Sequence, residues 1–243
     1  MLTSPTVERL KELRLDGMAR ALEEQMASSA YHELTFEERL GLLVDMENTE
    51  RRNRRLNTRL KKARLRHQAC VEDIDHRHPR GLDRTLIQSL STCQWIRDHL
   101  NVLIIGPTGV GKSFIACALG HRGCLEGFNV LYTRAPRLFQ ELLVARGDGR
   151  YARLMNTMAK SHLLIIDDWG LSVLADQEQR DLLEIVEDRN GIHSTIIASQ
   201  LPVENWHQII GNPTLADAIL DRLIHNAYKI TLKGESMRKK KTN

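Results

Sequence analysis

The sequence contains few cysteines and aromatic residues, and it lacks a long uninterrupted apolar run. Only four of the 243 residues are cysteines, and no two of them are in a CxxC spacing. Reduced thiols in an intracellular protein are therefore expected, rather than a disulfide framework. A membrane span needs about 20 consecutive apolar residues, and neither such a run nor a signal-peptide pattern is present. We expect a cytoplasmic protein without a membrane partner.

The sequence also lacks a large excess of charge of one sign. The formal net charge is +4 and 42% of the residues are hydrophobic, values that are ordinary for a soluble globular protein. This balance is too mild to indicate a nucleic-acid partner, so the distribution of charge along the chain must decide that question. The length fits one medium domain with a smaller one attached.

The first third of the chain predicts helices. Apolar residues at mostly three- and four-residue steps over 6–26 predict one amphipathic helix. Thr35 and Glu38 are spaced as a capping box, in which each side chain bonds the other residue's backbone N–H at a helix start. The helix that follows is expected to reach about Arg66, because neither glycine nor proline interrupts it after Gly41.

A polar segment containing proline and glycine, residues 73–81, predicts a linker. We place the domain boundary there, with a helical N-terminal domain over 1–75, expected to bind DNA or a partner, and a second domain over 76–243. Four short apolar runs then alternate with helical segments. They are residues 101–105, 129–133, 163–166 and 194–199. This alternation predicts an α/β fold, a parallel sheet with helices on both faces.

Residues 106–113 read GPTGVGKS and satisfy every fixed position of a phosphate-binding loop between a strand and a helix. The glycines let backbone N–H groups turn inward around phosphates. Lys112 brings positive charge to the β- and γ-phosphates, Ser113 is a magnesium ligand, and the helix that starts here adds its positive end. The predicted ATP–Mg²⁺ site comprises Gly106, Pro107, Thr108, Gly109, Val110, Gly111, Lys112, Ser113 and Phe114.

Two acids follow the apolar run 163–166. A carboxylate at a strand end facing the phosphates is needed to orient magnesium, and Asp167 fits that role. Asp168 is then placed to polarise the attacking water. The alternative is a pair of solvated acids at a strand end.

Two further features favour a hydrolysis switch. Ser199 and Gln200 end the fourth apolar run and are candidates to sense the γ-phosphate; a plain polar strand end is the alternative. Arg222 lies on an apolar helical segment, where it is either a surface arginine paired with an acid or an arginine finger inserted into a neighbouring subunit's site.

Together these residues resemble the IstB-type transposition helper ATPases, relatives of the DnaC helicase loaders within the AAA+ superfamily. The resemblance is carried by residues 106–113, 163–170, 199–202 and 214–239. It implies an AAA+ P-loop domain with a truncated lid, because only five residues follow Arg238.

The resemblance also implies roles for individual residues. Asp168 takes the catalytic position, where the superfamily more often has Glu. Ser199 or Gln200 becomes the first sensor, Arg222 the finger, and Arg238 the second sensor arginine. The ATP site is then completed by a second subunit of a homo-oligomer.

Residues 50–67 contain nine Lys or Arg and one acid. These are Arg51, Arg52, Arg54, Arg55, Arg59, Lys61, Lys62, Arg64 and Arg66. A helix with so many bases repels itself unless a polyanion is nearby. Contact with the DNA backbone is predicted, and duplex DNA is favoured because no aromatic residue in the run can stack on bases. The alternative is a solvated basic face paired with the acidic first helices.

By this resemblance we expect a Mg²⁺-dependent, DNA-stimulated ATPase that regulates DNA transposition. It would assemble with ATP on duplex target DNA, recruit a transposase and disassemble after hydrolysis. A DnaC-like helicase loader is the closest alternative. A P-loop small-molecule kinase and a nucleotide-switched adaptor with little hydrolysis are further alternatives, although no acceptor-specific motif supports a kinase.

Overall fold

The computed structural model describes residues 4–237, and these form two compact units that divide after Thr58. The division falls before the linker in which the sequence places its domain boundary. The physical reason is that residues after Thr58 pack on the larger unit. Arg59 donates a hydrogen bond to the Cys124 carbonyl, at 3.0 Å, and Ala63 and Ala69 are fully buried.

The smaller unit is helical. Helix α1 spans Pro5–Glu12, α2 spans Asp16–Ala27, and α3, which continues past the division, spans Phe36–Ala63. The single helix predicted over 6–26 is wrong, because Arg14 adopts a left-handed conformation with φ of 59° between α1 and α2. Leu13 and Met18 are five residues apart, and one helix cannot keep that step on one face.

The start of α3 agrees with its predicted capping box. The Thr35 N–H and hydroxyl both donate to the Glu38 carboxylate at 2.8 Å, and the Glu38 N–H donates to the Thr35 hydroxyl at 3.3 Å. Helices α2 and α3 approach closely at Gly17, where a Cβ would lie 2.6 Å from the Glu47 Cα. The Gly17 N–H donates to the Glu47 carboxylate at 2.8 Å, so a glycine and a buried acid fix this crossing.

The larger unit is built on a five-stranded parallel sheet. Its strands are β1 (Asn101–Ile105), β2 (Val130–Arg134), β3 (Leu163–Trp169), β4 (Ser194–Ser199) and β5 (Ala227–Thr231), in the order β2-β3-β4-β1-β5. The four predicted strands are confirmed within a few residues. Strand β5 is not among the predicted strands, because Ile230 is its one buried residue and an edge strand with a single buried side chain leaves little apolar pattern.

Helices cover both faces of this sheet. They are α4 (Arg84–Ser91), α5 (Gln94–Arg97), α6 (Lys112–Leu125), α7 (Ala135–Gly147), α8 (Tyr151–Ala159), α9 (Asp176–Arg189), α10 (Trp206–Ile210) and α11 (Pro213–Ile224). Side chains alternate along each strand. Leu103 and Ile166 therefore join one core with residues of α7, α9 and α11, while Ile165 lies on the other face, against Gly120 of α6.

This topology brings the predicted site residues to one edge of the sheet. All five strands run in the same direction, so the residues after β1, at the end of β3 and after β4 lie together. Within residues 4–237, no helix is long and apolar enough to cross a membrane.

Candidate nucleotide-binding site

The phosphate loop adopts backbone conformations that require its glycines. Gly106, Gly109 and Gly111 have φ of 155°, 85° and 98°, a region that residues with a Cβ rarely enter. A Cβ at Gly106 would lie 2.5 Å from the Leu232 carbonyl oxygen, and one at Gly109 would overlap the Ser236 side chain. The close approach of the chain after β5 therefore adds to the conformational requirement.

Lys112 occupies the concave side of this loop. Its side chain is largely buried, and Nζ donates to the carbonyls of Gly106 and Pro107 at 2.7 and 2.8 Å. Helix α6 begins at Lys112, with half-buried Ser113 in its first turn, so N–H groups and the positive end of the helix dipole lie beside the ammonium group. This arrangement fits a polyphosphate, and the Ser113 hydroxyl fits a magnesium ligand.

Asp167 is buried within β3 and its two oxygens are both engaged. The Tyr132 hydroxyl donates to Oδ2 at 2.7 Å, and the Asp168 N–H donates to Oδ1 at 2.8 Å. Burial, together with the Asp167 carboxylate, raises the pKa of the Tyr132 hydroxyl, so Tyr132 stays a hydrogen-bond donor. An orienting carboxylate is the role that such a fixed acid fits.

Asp168 has a different environment from its neighbour. Its φ is 56°, and the pairing of β3 with β4 shifts between Ile166 and Trp169, so an irregularity of the strand turns this carboxylate outward. A left-handed non-glycine residue stores strain of order 1–3 kcal/mol and is frequent at functional sites. Its Oδ2 accepts a hydrogen bond from Arg134 Nε at 2.6 Å.

A second arginine reaches the same acids. Arg66 Nη1 lies 3.6 Å from Asp168 Oδ2 and 3.9 Å from Asp167 Oδ2. Arg66 is one of the predicted DNA-binding residues, and its guanidinium also lies near the acids at the end of β3. Arg134 is not among the predicted site residues, because nothing in the sequence links it to an acid 34 residues later.

Ser199 and Gln200 differ in what they contact. The Ser199 hydroxyl is fully buried, donates to the Trp169 carbonyl and accepts from the Leu201 N–H, each at 3.0 Å. Gln200 is exposed, and its Oε1 accepts a hydrogen bond from the Thr108 hydroxyl at 2.6 Å. Gln200 is therefore the member of this pair whose side chain contacts the phosphate loop, whereas Ser199 contacts it through its backbone carbonyl, which accepts from the Gly106 N–H at 3.2 Å.

Arg222 is not brought to the site of its own chain. Its Nη1 donates to the Ala218 carbonyl at 2.7 Å, and its Nη2 lies 3.1 Å from a Glu187 carboxylate oxygen. The Arg222 carbonyl accepts from Asn101 at the first residue of β1, whereas Gly106 follows the last. A strand of this length separates the two ends by about 15 Å.

Arg80 is a further site residue, and the sequence pattern does not predict it. The side chain is 2% exposed, its Nη1 donates to the Val110 carbonyl of the phosphate loop at 2.7 Å, and its Nη2 donates to the Asp75 carbonyl at 2.9 Å. Burial lowers the pKa of its guanidinium. The Met237 N–H donates to the Gly109 carbonyl at 3.0 Å, so two chain segments brace the loop. Arg238 lies outside the described residues.

The remaining basic residues have varied surroundings. Within the smaller unit, Arg51 pairs with Glu47 of its own helix at 2.6 Å. Arg54 pairs with Asp16 of α2 at 2.6 Å, an interaction of the kind that the solvated-face alternative anticipates. Exposed side chains are found at Arg52, Arg55, Lys61, Lys62 and Arg64.

The sequence is similar to ATP-binding proteins of insertion sequences. A family model described as IstB-like ATP binding protein matches residues 8–243. A protein of Sinorhizobium fredii (strain NBRC 101917 / NGR234) named as a putative insertion sequence ATP-binding protein, y4pL, is 55% identical over 239 residues and covers 98% of this chain and 98% of its own.

Solved structures resemble about two thirds of the chain in fold. DnaA from Aquifex aeolicus bound to AMPPCP matches with a TM-score of 0.56 and 18% identity, over 69% of this chain and 51% of that chain. The DnaC helicase loader matches with a TM-score of 0.55 and 17% identity, over 67% of this chain and 96% of that chain. Identities this low show the fold alone, and the predicted AAA+ P-loop fold is confirmed.

Proposed function

This chain belongs to the IstB-like ATP-binding protein family, and we propose that it is a Mg²⁺-dependent ATPase acting in DNA transposition. Loaded with ATP, it assembles as an oligomer on duplex target DNA and recruits or stimulates a transposase. Hydrolysis then releases the assembly. A cytoplasmic location is part of this proposal.

The observation that carries the hydrolytic part is the contrast between Asp167 and Asp168. Asp167 is buried and fixed by two hydrogen bonds, which suits a group that orients magnesium together with Ser113. Asp168 is turned outward at the strand irregularity, which suits a base for the attacking water. Magnesium would neutralise charge on the β- and γ-phosphates.

Other residues of the chain are assigned to triphosphate binding and to sensing. The backbone of the phosphate loop and Lys112 bind the triphosphate, and Gln200, held by Thr108, is the first sensor. Because Arg222 lies at the other end of β1 from the loop, we assign it to the site of a neighbouring subunit. Arg238 is proposed as the second sensor arginine.

Duplex DNA is proposed as the nucleic-acid partner because basic side chains are exposed at the end of α3. Lys61, Lys62 and Arg64 have exposed side chains, and such groups bind phosphates without reading sequence. Arg51, Arg52, Arg54, Arg55, Arg59 and Arg66 complete the proposed set of DNA-binding residues. Helicase loading is the rival proposal, since it needs the same ATP site.

The test compares duplex binding with ATP, ADP and no nucleotide by fluorescence anisotropy and size-exclusion chromatography. We expect ATP to produce a DNA-bound oligomer, and Asp168→Asn to keep that complex while losing turnover. Equal duplex affinity in all three nucleotide states would refute ATP-driven assembly. Binding of the purified chain to a transposase rather than to a replicative helicase would decide between the two proposals.

A further inference from the structure

The end of α3 and the residues that follow it lie along helix α6 toward the phosphate loop. Arg59 bonds the Cys124 carbonyl near the end of α6, a Leu65 methyl lies 3.1 Å from the position of a Cβ on Gly120, and the His67 ring lies 6.3 Å from the ring of Phe114 in the first turn. Residues 59–67, which we call the basic strap, therefore run antiparallel to α6.

The basic side chains of the strap fall into two groups that differ in their surroundings. Lys61, Lys62 and Arg64 are exposed, whereas Arg66 reaches the acids of β3, at 3.6 Å from Asp168 Oδ2. Arg64 has a left-handed conformation, with φ of 53°, and this turn follows the end of α3. Arg64, which is free to contact a polyanion, is thus only two residues from Arg66, which contacts the site acids.

Two arginines contact the Asp168 carboxylate at different distances. Arg134 Nε is 2.6 Å from Oδ2, a direct hydrogen bond, while Arg66 approaches the same oxygen at 3.6 Å and its side chain is 37% exposed. At that separation and exposure an ion pair is weak and exchangeable. Of the two arginines, Arg66 therefore has the weaker contact with Asp168, and its guanidinium also lies near the Tyr132 hydroxyl.

We propose that Arg66 is a positioning residue that exchanges between the Asp168 carboxylate and the DNA backbone, so that duplex binding on the basic strap changes the state of the hydrolytic site. The inference rests on the proposed function, and it adds a regulatory DNA interaction to that site. No covalent step is involved, because one ion pair replaces another.

Linkage gives a test that needs no ATP turnover. If DNA and Asp168 compete for Arg66, then removing the charge of Asp168 must strengthen duplex binding, and the effect must depend on Arg66. Duplex Kd is measured by anisotropy, with the non-hydrolysable ATP analogue AMPPCP, for wild type, Asp168→Asn, Arg66→Gln and the double variant. Asp188→Asn, which removes an exposed acid elsewhere, is the control for net charge.

We expect Asp168→Asn to tighten binding by about two- to fivefold, the range open to a partly exposed ion pair, and to have no effect in the Arg66→Gln background. Arg66→Lys should keep the coupling in part, since it keeps the charge. The same tightening with and without Arg66, or tightening equal to that of Asp188→Asn, overturns the inference. Far-ultraviolet circular dichroism and melting curves check that each variant folds.

A second readout is the response of ATPase activity to duplex. Arg66→Gln should raise DNA-free turnover and reduce the ratio of DNA-bound to DNA-free rates, while Arg137→Gln, a change to an exposed arginine paired with Glu141, should alter neither. Unchanged rates overturn the inference although the proposed function stands. A wild-type chain that binds no duplex rejects the proposed function, and the coupling with it.

Discussion

The phosphate loop and the basic segment at residues 50–67 are both prominent in the sequence, yet they differ in how the structure uses them. Each loop glycine has one backbone conformation and close neighbours, so its role follows from local geometry. The basic residues share a charge but not a role. Arg54 pairs with Asp16, Arg59 bonds a carbonyl of α6, and Arg66 approaches the site acids.

This contrast reflects what each kind of pattern encodes. Glycine spacing reports a backbone conformation that no other residue adopts at low cost, whereas a run of charges reports only a composition. What each base does depends on the acid, carbonyl or phosphate that it faces, and sequence spacing does not reveal those partners.

Distorting the loop's geometry should have the most severe consequence. Gly106→Ala places a Cβ 2.5 Å from the Leu232 carbonyl at φ of 155°, so we expect loss of ATP binding beyond detection by titration calorimetry. Gly147→Ala is the matched control, since nothing lies within 4 Å of its Cβ. If Gly106→Ala bound ATP with wild-type affinity, the loop would not owe its function to this conformation.

The next effect concerns the two neighbouring acids. Asp168→Asn should lower turnover by about 10²–10⁴, the usual contribution of a general base, while ATP affinity stays near that of wild type. Asp167→Asn should instead weaken magnesium-dependent ATP binding, because Asp167 is the fixed acid. Turnover is measured at saturating ATP, and affinity with a fluorescent ATP analogue. Identical defects in the two variants would remove the distinction between orienting acid and base.

A smaller effect, on duplex affinity, is expected from replacing the exposed basic side chains. Replacing Lys61, Lys62 and Arg64 with Gln should weaken duplex binding and reduce the slope of log Kd against log salt by about 0.9 for each phosphate that is no longer neutralised. Replacing Arg97, Arg137 and Arg153 with Gln is the control of equal charge. A control that weakens binding as much as the test variant would mean that net charge alone binds the duplex.

A still weaker effect is expected at the cap of α3. Thr35→Ala removes the hydroxyl that accepts from the Glu38 N–H and should cost about 1 kcal/mol of unfolding free energy, measured by urea denaturation. Thr157→Ala, on an exposed face of α8, is the comparison. ATP affinity should not change in either variant, and a change would tie this helix start to the site.

Much of the fold and part of the site could be predicted, for physical reasons visible in particular residues. Strands β1, β3 and β4 are buried along nearly their whole length, so their apolar runs stand out, and the capping box is a local pattern. Strand β5 and the break at Arg14 leave weak local signals. Arg66, Arg80 and Arg134 find partners tens of residues away, which only the folded topology brings together.

A site shared between two subunits is the core of the proposed mechanism, and mixing two inactive variants would reveal it. Asp168→Asn lacks the base but keeps Arg222, and Arg222→Ala lacks the finger but keeps the base. We expect each alone to have little turnover and the mixture, with ATP and duplex, to regain a substantial part of the wild-type rate. No recovery in mixed oligomers verified by differently labelled subunits would contradict a shared site.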